Sequence, residues 1–145
     1  MPGVTGTMTY DVSNRLKGAA GETYGYAADN RRVWRKAANG AETLVLTWID
    51  GHKWDETWFA GRMIGGAGGT VFTGRVGSVR LRVDRVNGAF PSERHGYYPS
   101  GEEKTATAGN RAKFGTYTRD QATGLDYADQ RHYGSGVGRF LTSDP

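Results

Sequence analysis

Turn-forming steps punctuate this sequence: Asn39-Gly40, Asp50-Gly51, the run Gly65-Gly66-Ala67-Gly68-Gly69, Asn87-Gly88 and Ser100-Gly101. Asn-Gly and Asp-Gly suit tight hairpins because both central residues must accept a positive φ. Between these steps lie short runs rich in β-branched and aromatic residues, as strands require. Thr43 to Ile49 and Thr57 to Ile64 are two of them. Val79-Arg80-Leu81-Arg82-Val83-Asp84 alternates apolar and charged residues, which predicts a strand with its charged side chains on one face. No window sustains the i, i+3, i+4, i+7 apolar spacing of a helix. Glycine, 23 of 145 residues, lacks the period of three that collagen needs. The expected fold is therefore all-β, a succession of antiparallel hairpins.

Cysteine is absent, which excludes a disulfide framework, a thiolate metal site and a thiol nucleophile. No apolar run is long enough to predict a membrane span. The opening Met1-Pro2-Gly3-Val4-Thr5 lacks the basic and apolar segments of a signal peptide, so export would use another route or an upstream region. Net charge is +4, with 19 Lys and Arg, but only Arg31-Arg32 and Arg35-Lys36 cluster. Such a spread fits arginines laddering with Tyr and Asp on β surfaces better than a nucleic-acid surface.

A repeat appears near the start. Tyr10-Asp11-Val12-Ser13-Asn14-Arg15 and Tyr26-Ala27-Ala28-Asp29-Asn30-Arg31 share a Tyr-x-x-x-Asn-Arg frame offset by 16 residues. Asn14 and Asn30 fall where a left-handed turn residue is wanted, and Asn is the best non-glycine choice there. One such unit cannot bury its own face and needs stacked neighbours.

Tyr10-Asp11-x-x-Asn14-Arg15-Leu16 resembles the YD repeat of Rhs proteins, with Asn in place of the usual Gly. Phe59-Ala60-Gly61-Arg62 and Gly77-Ser78-Val79-Arg80 look like later landmarks of that family. The stretch from Lys113-Phe114-Gly115-Thr116-Tyr117-Thr118-Arg119-Asp120 through Thr123-Gly124-Leu125-Asp126-Tyr127-Ala128 continues to Arg131-His132-Tyr133, Gly138-Arg139-Phe140-Leu141 and Ser143-Asp144-Pro145. It resembles the Rhs repeat-associated core region. Rhs proteins wind a β ribbon into a hollow cage, which in bacteria commonly encloses a C-terminal toxin delivered to a competing or host cell. The resemblance implies that this chain corresponds to the closing end of such a cage. Its parts would be YD-repeat hairpins over 1–36, further hairpins over 37–95, and the core region over 96–145. Its partner would be a toxin segment or a larger Rhs chain, with self-association through strand edges as a second route. The protein would be bacterial, and secreted or at the cell surface when part of a delivered Rhs protein.

The resemblance also assigns residues. Tyr127 and Tyr133 with Arg131 would ladder across strands, Gly124 and Gly138 would set turns, and Phe140 would plug the end. Leu125, Arg139, Asp144 and Pro145 complete the motif. Some members cut the toxin free in a reaction likened to that of aspartic proteases, and Arg119-Asp120 sits where the family's Arg-Asp pair has been linked to cleavage. Such chemistry needs two carboxylates sharing a proton. Asp126, Asp129 and Asp144 are the candidates for the second. The competing reading is a fold-stabilising Arg119–Asp120 pair in a turn, and Tyr133-Gly134 departs from the family's Asp after the paired tyrosines.

Other constellations are weaker. His52, His95 and His132 are at least 37 residues apart, show no metal-ligand spacing, and read as loop or strand-surface residues. No cofactor motif is present. Trp48, Trp54 and Trp58 flank Asp50-Gly51, so a hairpin would bring them near one another; packing or cage lining is the favoured reading, and a sugar-stacking surface, with carbohydrate as a further candidate partner, is the alternative.

Overall fold

The computed structural model describes residues 7–47, 52–66, 69–84 and 89–144. Among them, fifteen strands form three antiparallel sheets of five, each a meander in chain order. The first sheet holds β1 (Thr9–Tyr10), β2 (Leu16–Ala19), β3 (Glu22–Tyr26), β4 (Arg32–Lys36) and β5 (Glu42–Leu44). The second holds β6 (Thr57–Phe59), β7 (Arg62–Gly66), β8 (Gly69–Thr73), β9 (Val79–Asp84) and β10 (Ser92–Arg94). The third holds β11 (Arg111–Ala112), β12 (Thr118–Arg119), β13 (Asp126–Ala128), β14 (Arg131–Gly134) and β15 (Arg139–Phe140). The chain is all-β, as its turn chemistry predicts.

The repeat seen twice in the sequence recurs as geometry. The Asp11 N–H donates to Arg15 O at 2.9 Å while the Asn14 N–H donates to Asp11 O at 3.0 Å. The same two bonds close 27–31, 37–41, 74–78 and 98–102. In each turn the fourth residue is left-handed: Asn14, Asn30, Gly40, Gly77 and Gly101 have φ between 59° and 90°. A type I turn followed by a left-handed residue is the usual three-residue hairpin loop. The Asn-Arg frame is thus one spelling of a five-residue closure that also accepts glycine at its fourth position.

Two expected strands differ from the structure. The run from Thr57 to Ile64 is not one strand, because Ala60 and Gly61 both adopt positive φ (48° and 72°) and fold it into β6 and β7. The run from Thr43 is strand only to Leu44, after which the Val45 N–H donates to Val33 O at 2.9 Å. Trp48, Ile49 and the Asp50-Gly51 turn lie outside the described residues, as do Asn87-Gly88 and Pro145.

β9 spans Val79–Asp84 as expected, but its faces do not alternate as expected. β8 pairs Thr73 with Val79 and Phe72 with Leu81, so Arg80 is the extra residue of a bulge. A bulge shifts the side-chain phase of everything beyond it. Val79 is buried before the bulge and Arg82 after it, at 0% and 1% exposure, while Phe72 stays exposed opposite Leu81.

The apolar core is divided. Leu16, Ala19 and Tyr24 of the first sheet pack with Leu125, and Met63, Val71 and Val79 of the second pack with Ala112. Ala112 of β11 and Leu125, which immediately precedes β13, thus bring the third sheet to both clusters and hold the other two together. Its ties are also polar: the Val79 N–H donates to Lys113 O at 3.0 Å, the Gly115 N–H donates to Ser78 Oγ at 3.0 Å, and Lys53 Nζ donates to Thr118 Oγ1. Each fully buried aliphatic side chain contributes about 1.5–3 kcal/mol. With so few of them, charged contacts must fix how the sheets meet.

Candidate functional site

The most constrained part of the molecule is a set of buried ionic groups where the third sheet meets the first. Arg32 opens β4 and is 5% exposed; Asp120 follows β12 and is 0% exposed. Arg32 Nη1 and Nη2 donate to the two Asp120 oxygens at 2.6 and 2.9 Å, joining residues 88 apart in sequence. The guanidinium lies between two rings, 5.1 Å from the Tyr24 centroid and 4.3 Å from that of Tyr127. The Tyr127 hydroxyl also accepts the Arg32 backbone N–H at 2.5 Å. His132, across the strand pair from Tyr127, packs on both tyrosines, and its Nε2 is 3.7 Å from Asp120.

These surroundings set the charges. Burial alone would raise the Asp120 pKa, but the Arg32 guanidinium, helped by His132, holds it down at about 2. Burial pushes the His132 imidazole below its ordinary value, and the Arg32 cation adds to that. Asp120 is therefore an anion and His132 neutral at neutral pH.

A second pair sits across the neighbouring strands. Arg119 faces Asp126 in register, and its Nε and Nη2 donate to the two carboxylate oxygens at 2.8 and 2.6 Å. Arg119 also donates to Gly101 O at 2.9 Å and Ser135 Oγ at 3.2 Å. Burial pushes the Asp126 pKa up against the opposing pull of Arg119. Beyond it, Lys113 Nζ donates to Glu103 Oε2 at 2.6 Å and to Thr107 Oγ1 at 2.8 Å, and His95 Nδ1 lies 3.2 Å from Glu103 Oε1. Burial would raise the Glu103 pKa, yet the bonds from Lys113, Thr107 and His95 bring it below the ordinary range.

Arg119 and Asp120 are adjacent in sequence but do not pair; each takes its partner from a different strand. Of the three candidate second carboxylates, only Asp126 is buried with Asp120. Asp129 sits at a left-handed turn position, and Asp144 is 80% exposed and bonded to Arg131 at 2.5 Å. Both oxygens of Asp120 and both of Asp126 are engaged by guanidinium groups.

The expected tyrosine ladder is replaced by two separate contacts. Register pairs Tyr127 with His132 and Tyr133 with Asp126, so the two tyrosines lie on opposite faces. Tyr133 stacks instead with Phe114 and meets the Phe140 edge at 5.3 Å. Phe140 is half-buried rather than a plug, and Arg131 lies 3.8 Å over its ring. Leu125 is in the first core cluster; Gly124 and Gly138 are left-handed turn residues, and Arg139 is exposed. His95 and His132 are core residues at 5% and 4% exposure, contrary to the surface position expected for them. Their roles escaped the sequence because their partners lie elsewhere in the chain, Glu103 and Thr107 for His95 and Tyr24 and Asp120 for His132. Arg32 and Lys113 were missed for the same reason.

Trp54 is 63% exposed and lines a cleft among Leu44, Leu46 and Arg82. Trp58 lies elsewhere, stacked on His52 at 4.3 Å with its indole N–H donating to Glu56 at 3.1 Å. Trp58 lines different cavities from that cleft, and Trp48 is outside the described residues. Among the described residues no cluster of His, Asp and Glu is placed to hold a metal ion. No described helix is long and apolar enough to cross a membrane.

No protein-family model matches the sequence, and no curated protein does. Solved structures do match. The whole chain superposes on part of a TcdB2–TccC3–TEV chain with a TM-score of 0.67 and 20% identity, covering 9% of that chain. It also superposes on the Tc holotoxin pore of Photorhabdus luminescens, carrying a substitution in TccC3, with a TM-score of 0.63 and 18% identity. The chain thus spans 9% of the length of these proteins and shares their fold over that stretch. This likeness supports the Rhs-like fold that the sequence motifs imply.

Proposed function

We propose that this chain is a structural part of an Rhs-type β-cage, the end that closes around or presents a C-terminal toxin segment. The observation that carries the reading is the likeness over all of its length to a stretch of much longer toxin-complex chains. The buried ionic groups agree with it. Their carboxylates are held by Arg and Lys side chains from other parts of the chain, which ties the sheets as a wall element requires. By this reading the chain works with a larger Rhs chain and is secreted or displayed with it. Unpaired backbone on the outer strands of each sheet would seek a continuing ribbon or a second copy. Light scattering on a sizing column over a hundredfold dilution tests this. Concentration-dependent association is expected, and a compact monomer throughout would favour an independent module instead.

A second reading, residual aspartic self-cleavage, draws on one observation. Asp120 and Asp126 are both fully buried, with carboxyl groups pushed in opposite directions. An acid and a base separated in this way are what such chemistry uses. The bidentate grip of an arginine on each must loosen before a proton is shared. Appending a segment beyond Pro145 and seeking a cut that Asp120→Asn abolishes is the test; an uncut chain removes this reading.

A further inference from the structure

The bulge at Arg80 has turned an arginine into the protein interior without giving it a full set of partners. Arg82 is 1% exposed, and its Nη1 donates to Gly66 O at 2.6 Å. Asp84 Oδ1 lies 3.8 Å from that same nitrogen, beyond hydrogen-bond reach. Among the described residues, Nε and Nη2 have no hydrogen-bond partner. These two nitrogens form the edge of a guanidinium that meets a carboxylate with two parallel bonds. The protein uses that edge elsewhere: Arg119 grips Asp126 through the same Nε and Nη2. Arg82 presents the same fork, buried, with the carboxylate of Asp84 nearby but not bonded to it.

Arg82 is one of the side chains lining a cleft of about 180 Å³. Leu44, Leu46 and Trp54 line its apolar side, and Arg35 and Arg111 bring further positive charge. Burial pulls the Arg82 pKa down, and the Arg111 cation pulls it further, so a negative group entering here is favoured. The acids in the wall are partly committed, Asp120 to Arg32 and Glu56 to Lys53 at 3.3 Å, while Asp55 and the nearby Asp84 disfavour a doubly charged ligand.

We propose that this cleft binds a carboxylate, gripped by Nε and Nη2 of Arg82 with Arg111 beside it. Leu44, Leu46 and Trp54 take the apolar part of the ligand. The carboxylate belongs to a small aliphatic acid or to an Asp or Glu side chain of a peptide, both of which present the same planar group. The fork nitrogens are shielded from water, so entry requires a lining side chain to turn. Arg111 lines the cleft, 23% exposed and tethered to Glu93 at 3.1 Å. Shielding also strengthens the bonds once formed, because solvent no longer competes for them.

The test is thermal unfolding of the whole chain titrated with butyrate and, separately, with the peptide acetyl-Leu-Glu-Leu-amide, against chloride at matched ionic strength. A saturable rise in Tm is expected with one or both; butyrate alone identifies a small acid, and the peptide alone identifies a side chain. Arg82→Met removes the response; because it also leaves Gly66 O without its donor and Asp84 without its cation, each variant's response is read against its own unliganded Tm. Arg82→Lys keeps the charge but not the fork and weakens binding about tenfold. Should Arg82→Met fail to fold, the Arg82→Lys comparison and the Arg82 Nε–H resonance during titration decide. No saturable response to either probe, a response unchanged in both variants, or a response to phosphate but to neither carboxylate overturns the proposal.

Discussion

Replacing Asp120 by Asn preserves the shape of the side chain and removes its charge. Arg32 then remains 5% exposed with its Nε already unpartnered, and the new amide turns an NH2 group toward the guanidinium donors. At most one of the two bonds at 2.6 and 2.9 Å survives. Stranding one member of a buried ion pair costs about 3–5 kcal/mol. Tyr24 and Tyr127 still flank the cation, each contact contributing about 0.5–2 kcal/mol, which places the loss near the lower end, about 3 kcal/mol. In urea, with a slope of about 2 kcal/mol per molar, the unfolding midpoint falls by about 1.5 M. Adding Arg32→Met removes the stranded charge, so the double variant should recover at least half of the loss. A single-variant loss below about 1 kcal/mol, or a double variant no more stable than the single, would refute the stranded-charge argument. The result also governs the cleavage test, which is meaningful only where Asp120→Asn is shown to be folded.

Other expectations follow from the same contacts. Asp120 has its folded pKa lowered from 3.8 to about 2, so its contribution is complete above pH 3.8 and lost as pH falls toward 2. Acid titration of stability should show a loss of about 2 kcal/mol from this group in that window, absent in the double variant. His132 is held neutral, so protons bind the unfolded chain first as pH drops below about 6.5, and stability should begin to fall there; His132→Gln should remove that early phase. Phe140→Ala should cost only about 1–2 kcal/mol in urea unfolding, because the ring is half-buried and held mainly by Tyr133 and Arg131; a loss above 3 kcal/mol would mean a buried plug after all. Gly101→Ala should cost more than about 2 kcal/mol, since its φ is +90° and a Cβ would come within 2.5 Å of the Phe114 ring. An unchanged midpoint would contradict that crowding.

Local chemistry was legible where one stretch of chain decides its own shape. The left-handed Asn14 and Asn30, the Ser100-Gly101 turn and the strand at Val79–Asp84 all follow from nearest neighbours. Ala60-Gly61 was not read as a turn because alanine seldom accepts a positive φ. The burial of Arg82 depends on which residue β8 skips, a fact of pairing that β9's own alternation does not contain. The ionic groups were the least legible. Arg32 reads as one of several scattered arginines until Asp120, far along the chain, is placed beside it. The family motif marked Arg119 and Asp120 as a pair, whereas adjacent residues on a strand face opposite ways and each found a partner across the sheets.

The third sheet's double role has a consequence during synthesis. The first sheet is a meander closed by short turns and the second a meander in chain order, so both form quickly from local contacts as the chain emerges. Leu125 and Ala112, which complete their two apolar clusters, and Asp120, which neutralises Arg32, are all made later. Until then Leu16, Tyr24, Met63 and Val71 lack their covering side chains. A nascent chain halted before residue 112 is thus a hydrophobic, aggregation-prone species that chaperones would hold. Synthesis of residues 112–125 supplies the covering side chains.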